Sequence, residues 1–181
     1  MLLATTGLRR AEVLGLRWSE VDLDRGRLRI SQTITEVRGK LVVQDDGKSD
    51  AAERSIGLDA RTVEALRRWK AQQAQDRLSW PGDWPDTGLV FTQRNGQGYR
   101  PKRLSSQFTE ASDALGLPRI GPHGLRHTYA TAALRAGVSP EIVSKRLGHS
   151  SVVVTLSIYA HVFEQDDQAA AEQTAKAIFG E

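Results

Sequence analysis

Gly121 to Ala130 reads G-P-H-G-L-R-H-T-Y-A, the densest polar cluster in the chain, and it places His123 and Arg126 three residues apart at the start of a helix. Residues so spaced share a face, so an imidazole and a guanidinium can meet one ligand. Near a helix N-terminus the backbone N–H groups and the helix dipole favour an anion as well, which makes the segment a candidate phosphate or oxyanion site. The plainer alternative is a capped helix carrying ordinary surface bases. A third reading takes His123 and His127, four apart, as metal ligands. It lacks the general base of the H-E-x-x-H zinc proteases, because Gly124 stands where the Glu is required.

Outward from this cluster the pattern is helical on the C-terminal side. Helices are predicted from Leu104 to Leu115, His123 to Ala136, Ser139 to Leu147, Val152 to Tyr159 and Gln165 to Ile178. On the N-terminal side, Ala11 to Leu16 has helical spacing and Asp59 caps a long amphipathic helix running to about Leu78, with Val63, Leu66 and Trp69 on one stripe. Between them L-R-I-S-Q-T-I alternates, K-L-V-V is a short apolar run and R-S-I-G-L follows, with turn signals at Arg38-Gly39 and Asp46-Gly47. The expected fold is α+β and mainly helical, one domain over residues 1–181, with a small three-stranded antiparallel meander.

The 181 residues suffice for a substantial core, and the absence of cysteine removes thiol nucleophiles, thiolate zinc sites and disulfides. No apolar run reaches the roughly 20 residues of a membrane span or resembles a signal peptide, so a soluble, cytoplasmic protein with no membrane partner is expected. A net charge of +3 and a sequence pI of about 9.4 suit a polyanionic partner if the bases cluster.

Three further segments carry candidate chemistry: T-G-L-R-R-A-E near the start, D-G-K-S-D-A-A-E-R-S-I between two predicted strands, and L-G-H-S-S followed by V-T-L-S-I-Y-A-H-V. Singly, Arg9 reads equally as a surface charge, Lys48 as a solvated turn residue, His149 as a helix-terminal cap and Tyr159 as a half-buried aromatic. Taken in order, these words resemble the tyrosine recombinase family of the phage-integrase type over nearly the whole chain. The resemblance implies catalytic roles for Arg9, Lys48, His123, Arg126, His149 and Tyr159, a structural role for Glu12, supporting roles for His127 and His161, and Lys40 as the substitute if Lys48 is not the sheet lysine. It also implies double-stranded DNA as substrate, a homo-oligomer assembled on that DNA, and a C-terminal helix over residues 165–178 that docks on a neighbouring subunit or on its own. Family members carry an additional N-terminal DNA-binding domain; here Arg9 falls almost at the start, so the chain is expected to be the catalytic half without it.

Two planar guanidinium forks would hold the non-bridging oxygens of a phosphodiester in its transition state. His149 would add a hydrogen bond to the same oxygens. Tyr159, with an ordinary pKa near 10, needs its proton removed as it attacks, and His123 is the base expected by role. Lys48 would protonate the leaving 5′ oxygen. The 3′-phosphotyrosyl bond would keep the energy of the broken phosphodiester, so neither ATP nor a metal or other cofactor is expected, consistent with the lack of a G-x-x-x-x-G-K-[ST] sequence. A type IB topoisomerase and a non-catalytic DNA-binding relic of the same fold are the alternatives.

Overall fold

Leu2 and Leu3 open the chain inside the core rather than in a disordered terminus, which is where a computed structural model puts them. It describes residues 1–45, 54–163 and 167–180. They form α1 (Leu2–Thr6), which ends on Gly7 in the left-handed conformation, followed by α2 (Arg10–Gly15). The α1 turn is an element that the periodicity did not suggest. A 3₁₀ turn (Trp18–Glu20) leads to β1 (Val21–Asp22), β2 (Arg27–Ile30), β3 (Gln32–Val37), β4 (Lys40–Asp45) and β5 (Arg54–Gly57). The remaining elements are α3 (Ala60–Ser79), α4 (Pro101–Ala114), α5 (Pro122–Arg135), α6 (Pro140–Leu147), α7 (Val152–Phe163) and α8 (Asp167–Phe179).

The mainly helical α+β expectation holds, with helix boundaries within a few residues of those predicted. The sheet differs in its wiring. L-R-I-S-Q-T-I is two strands, not one: β2 pairs antiparallel with β1 and β5, while β3 pairs antiparallel with β4 in a separate hairpin. A three-stranded antiparallel sheet is therefore present, in the order β1-β2-β5, but it is not the predicted meander. Inward residues continue without a break through Leu28, Ile30, Gln32 and Ile34, so the two-residue period is the same on both sides of Ser31 and carries no sign of the change of partner. The Asp46-Gly47 turn and Lys48 lie outside the described residues.

Each long element is placed by an identifiable local cause. The Asp59 carboxylate accepts from the backbone N–H groups of Arg61 and Thr62 and so caps α3; a bond from the Thr62 hydroxyl above all, and those backbone bonds with it, hold its pKa below the usual carboxylate value. Helix α3 then clamps the segment around Val90: Trp69 Nε1 donates to the Val90 carbonyl at 2.5 Å, and Gln73 joins Trp18 to Thr92. Pro101, Pro122 and Pro140 each occupy the first turn of a helix, where a missing N–H costs nothing.

The main core gathers Leu3, Leu8, Leu28, Ile56, Leu66 and Val90 from both ends of this N-terminal half. A second cluster of Ala130, Leu134, Val143, Leu147 and Tyr159 joins α5, α6 and α7. Between the two, α1 packs on α5 and β5 on α6, and Arg9, Glu12, Arg54 and Arg126 lie along that seam.

Candidate active site

The seam is built on helix ends. The last carbonyls of a helix have no partner within it and sit at the negative end of its dipole, so a cation fits there. Arg126, projecting from α5 and 6% exposed, donates from Nη1 to the carbonyl of Gly7 at the end of α1 and from Nη2 to the carbonyl of Leu147 at the end of α6, both at 2.7 Å. Arg9 donates from Nη2 to the next carbonyl, that of Gly148, at 2.9 Å. The two guanidiniums, 117 positions apart in the chain, are thus held on adjacent peptide units, with N–H groups left over for an anion.

Gly7 has to be glycine here. Its φ is +66°, and an added Cβ would lie 2.5 Å from Tyr129 Cδ1 and 2.7 Å from Leu147 Cδ2. Gly148, also left-handed at φ 66°, ends α6 so that its own N–H and that of His149 return to the carbonyls of Lys145 and Ser144. The word L-G-H-S-S therefore reads structurally as a helix stop, an imidazole and a helix start, because Ser151 Oγ accepts from the backbone N–H of Val153 at the beginning of α7.

Behind Arg9 lies a buried ion pair. Glu12, in the first turn of α2, accepts from Arg54 Nη1 and Nη2, both at 3.0 Å, and from the backbone N–H and Nη1 of Arg9 at 2.6 and 3.0 Å. Arg54 Nε also reaches the carbonyl of Arg146, which ties β5 to α6. Glu12 is the structural acid that the sequence suggested; Arg54, passed over in the word E-R-S-I, is the buried partner that holds it.

The nucleophile candidate is inside. Tyr159 is 3% exposed, at a kink in α7 where its φ of −113° and ψ of 18° leave the helical range. Its hydroxyl lies 3.0 Å from His127 Nδ1, and His127 Nε2 lies 2.9 Å from His123 Nε2. The nearest imidazole to the hydroxyl is therefore His127 and not His123, because the four-residue spacing sets the two rings one after the other along α5, edge to face, and His127 is the one that meets Tyr159 on α7. His149 is held by a 2.8 Å contact between Nδ1 and the hydroxyl of buried Thr155. The other tyrosines are occupied elsewhere: the Tyr129 hydroxyl accepts from Arg146 Nε, and Tyr99 packs against Leu14, Ile34 and Leu89.

Electrostatics describe a pocket short of negative charge. Burial, reinforced by the charges of Arg9 and Arg54 and opposed by Glu12, pulls the Arg126 pKa down to about 10, so it stays a cation at neutral pH under strain that an anion would relieve. Burial, then Arg126 and Arg9, pushes His149 down to about 4, which makes it a neutral hydrogen-bonding group. His127 is also lowered, by burial, His123 and Arg126. Burial raises the Tyr159 hydroxyl above its ordinary value while Arg126 pulls it partly back, so the phenol is protonated at rest.

A cleft of about 500 Å³ opens onto this seam, lined by Arg9, Arg10, Ser105, Thr109, His123 and Arg126. A larger hollow of about 630 Å³ elsewhere is lined by both signs of charge, Glu20, Asp22 and Asp24 beside Arg27, Arg29, Arg67 and Lys70, and holds none of the motif residues. The structure thus brings Arg9, His123, Arg126, His149 and Tyr159 into one region, with Lys48 outside the described residues. Lys40 starts β4, on the exposed hairpin. Among the described residues no group of three or more His, Cys, Asp or Glu side chains is placed to hold a metal ion, and no helix is long and apolar enough to cross a membrane.

The sequence profile of the phage integrase family matches residues 1–166. The chain belongs to the phage integrase family. Among proteins similar to this integrase-family chain, the tyrosine recombinase XerC-like protein of Caldanaerobacter subterraneus subsp. tengcongensis is 28% identical over 178 residues, 92% of this chain and 46% of that protein. The tyrosine recombinase XerC of Corynebacterium glutamicum is 30% identical over 161 residues, 89% of this chain and 44% of that protein. This member of the family spans about half the length of the curated relatives it matches. Its fold superposes on the Tn1549 transposon integrase, solved in complex with transposon right end DNA, with a TM-score of 0.80 at 24% identity over 96% of this chain and 57% of that one. The XerA recombinase gives a TM-score of 0.69 at 26% identity, covering 97% of this chain and 55% of that one.

Proposed function

We propose that this chain is the catalytic part of a DNA recombinase that cleaves and rejoins double-stranded DNA through a 3′-phosphotyrosyl bond to Tyr159. The observation that carries the reading is the convergence of Arg9, Arg126, His149 and Tyr159 at the end of α6, from positions far apart in the chain. Arg9 and Arg126 hold the scissile phosphate with the N–H groups that their backbone carbonyls leave over, and His149 adds a neutral hydrogen bond. The Tyr159 oxygen attacks phosphorus, His123 belongs to the base that removes its proton, and Lys48 protonates the departing 5′ oxygen. Because the phosphotyrosyl bond is close in energy to the phosphodiester it replaces, another 5′-OH restores a DNA strand by the reverse reaction without ATP or metal.

The protein acts on DNA in the cytoplasm, as several copies assembled on one DNA, and an N-terminal DNA-binding domain belongs to the complete enzyme. The exposed Ile178 and Phe179 at the end of α8 support docking of that helix on a second copy. The test is to enrich bound sites from random duplexes and then to present the winning site as a suicide substrate that traps cleaved product. A covalent protein–DNA band that requires Tyr159 is expected. Binding without any covalent band would favour a non-catalytic relic, and relaxation of supercoils without exchange would favour a topoisomerase. Binding should also weaken with salt by a log–log slope of about −0.9 per phosphate neutralised.

A further inference from the structure

The hydroxyl of Tyr159, His127 and His123 form one continuous hydrogen-bonded line: 3.0 Å from the hydroxyl to His127 Nδ1, and 2.9 Å from His127 Nε2 to His123 Nε2. The rings pack as well, with His127 edge-on to His123 at 4.5 Å between centroids and tilted against Tyr159 at 5.8 Å. Spacing on α5 makes this possible, since residues four apart stack on one face and α7 packs against that face at the kink. Tyr159 at 3% exposed has little direct access to a water that could take its proton. His123 is exposed and lines the cleft, so a proton delivered there reaches solvent.

From this line of contacts we infer that His127 is a further catalytic residue, the immediate proton acceptor for Tyr159, and that it passes the charge outward to His123. The inference rests on the recombinase reading above and adds a step to it. For the hydroxyl to donate, His127 must carry its proton on Nε2, and that N–H then donates to an unprotonated His123 Nε2. As the bond from the Tyr159 oxygen to phosphorus forms and the bond to the 5′ oxygen breaks, the phenolic proton moves to His127 Nδ1. The proton on His127 Nε2 moves to His123 Nε2, so one positive charge leaves the buried end of the line and arrives at the exposed end. In rejoining, the bond between phosphorus and the Tyr159 oxygen breaks and the same line returns the proton. Burial, then His123 and Arg126 on its own helix, favour the neutral, accepting form of His127, and the groups that face it from beside α6 and from α7 are the neutral His149 and the protonated Tyr159 hydroxyl.

The test uses the whole chain and a suicide duplex built on the enriched site, with single-turnover cleavage measured from pH 5.5 to 9. His127→Asn keeps a short polar group at the Nδ1 position but cannot take up a proton, and His127→Ala leaves space for added imidazole. Both variants are expected to bind DNA within about twofold of the unaltered chain and to cleave about 10²–10³-fold more slowly. Their rates should climb with pH towards the ionisation of the tyrosine, and imidazole should restore a measurable part of the His127→Ala rate. Cleavage by His127→Asn within about threefold of the unaltered chain, with the same pH profile, overturns the inference. A large loss with an unchanged pH profile and no imidazole rescue also overturns it, since a structural role alone would do that. Absence of any adduct with the unaltered chain overturns the recombinase reading and this step together, whereas an adduct with insensitive His127 variants sinks only this step.

Discussion

Glu12→Gln exposes the framework behind Arg9. The Glu12 and Arg54 side chains are 1% and 5% exposed and meet through two parallel hydrogen bonds of 3.0 Å. Replacing the carboxylate with an amide strands the Arg54 charge in a nearly dry site, a change that costs about 3–5 kcal/mol when one partner of a buried pair is removed. The amide oxygen still accepts one bond, which points to the lower end, about 3 kcal/mol. For a chain of this size each kcal/mol moves the melting temperature by about 2–4 °C, so Glu12→Gln should lower it by roughly 6–12 °C. Arg54→Met should cost a similar amount by leaving the carboxylate with Arg9 alone. The double variant Glu12→Gln/Arg54→Met removes both charges and should fall short of the sum by at least about 2 kcal/mol. Arg9→Ala makes the contrast: its side chain is 47% exposed, and a partly exposed pair is worth only about 0–1 kcal/mol, so stability should hardly change while cleavage is lost. Urea unfolding of the variants measures all of these. A cost for Glu12→Gln below about 1 kcal/mol, or strict additivity of the pair, would refute the claim that this ion pair holds the α2, β5 and α6 junction together.

Gly7→Ala should destabilise by about 1–3 kcal/mol, because the left-handed backbone and the Tyr129 and Leu147 side chains leave no space for a methyl group, and DNA affinity should fall with it as the Arg126 anchor shifts. Tyr159→Phe should keep the fold, losing about 0.5–1.5 kcal/mol with the His127 contact, and bind DNA while forming no covalent adduct; an adduct that persists would move the nucleophile to another tyrosine. Lys48→Ala should cleave poorly, and a 5′-bridging sulfur, which leaves without a proton, should restore it; rescue of Lys40→Ala instead would place the acid on β4. The His149 pKa, lowered by burial to about 4, means that the unfolded chain binds a proton before the folded one does. The stability linked to His149 is then full above about pH 6.5 and lost as pH falls towards 4, by an amount of order 1 kcal/mol once solvent screening is allowed for. Thermal unfolding from pH 7 to 4 should show a smaller decline for His149→Gln, and an equal decline would remove the assignment.

Local order was written in the chain. The helical spacing of Val63, Leu66 and Trp69, the Asp59 cap, the prolines at three helix starts and the words around Arg9, Arg126, His149 and Tyr159 all depend on residues within a few positions of one another, so a linear pattern carries them. Tertiary structure decided matters in which the partner is distant. The switch of strand partner at Ser31 leaves the two-residue alternation untouched, and Arg54, which reads as one more basic residue on a strand, becomes the buried counter-charge of Glu12 only when β5 meets α2. Likewise, which of His123 and His127 meets the tyrosine depends on the face of α5 that α7 covers. The family resemblance assigns the base to His123 and a supporting role to His127; packing puts His127 Nδ1 against the hydroxyl and leaves His123 at the cleft. Spacing along a helix fixes which side chains share a face, but only the element packed on that face determines which of them is buried and what it touches.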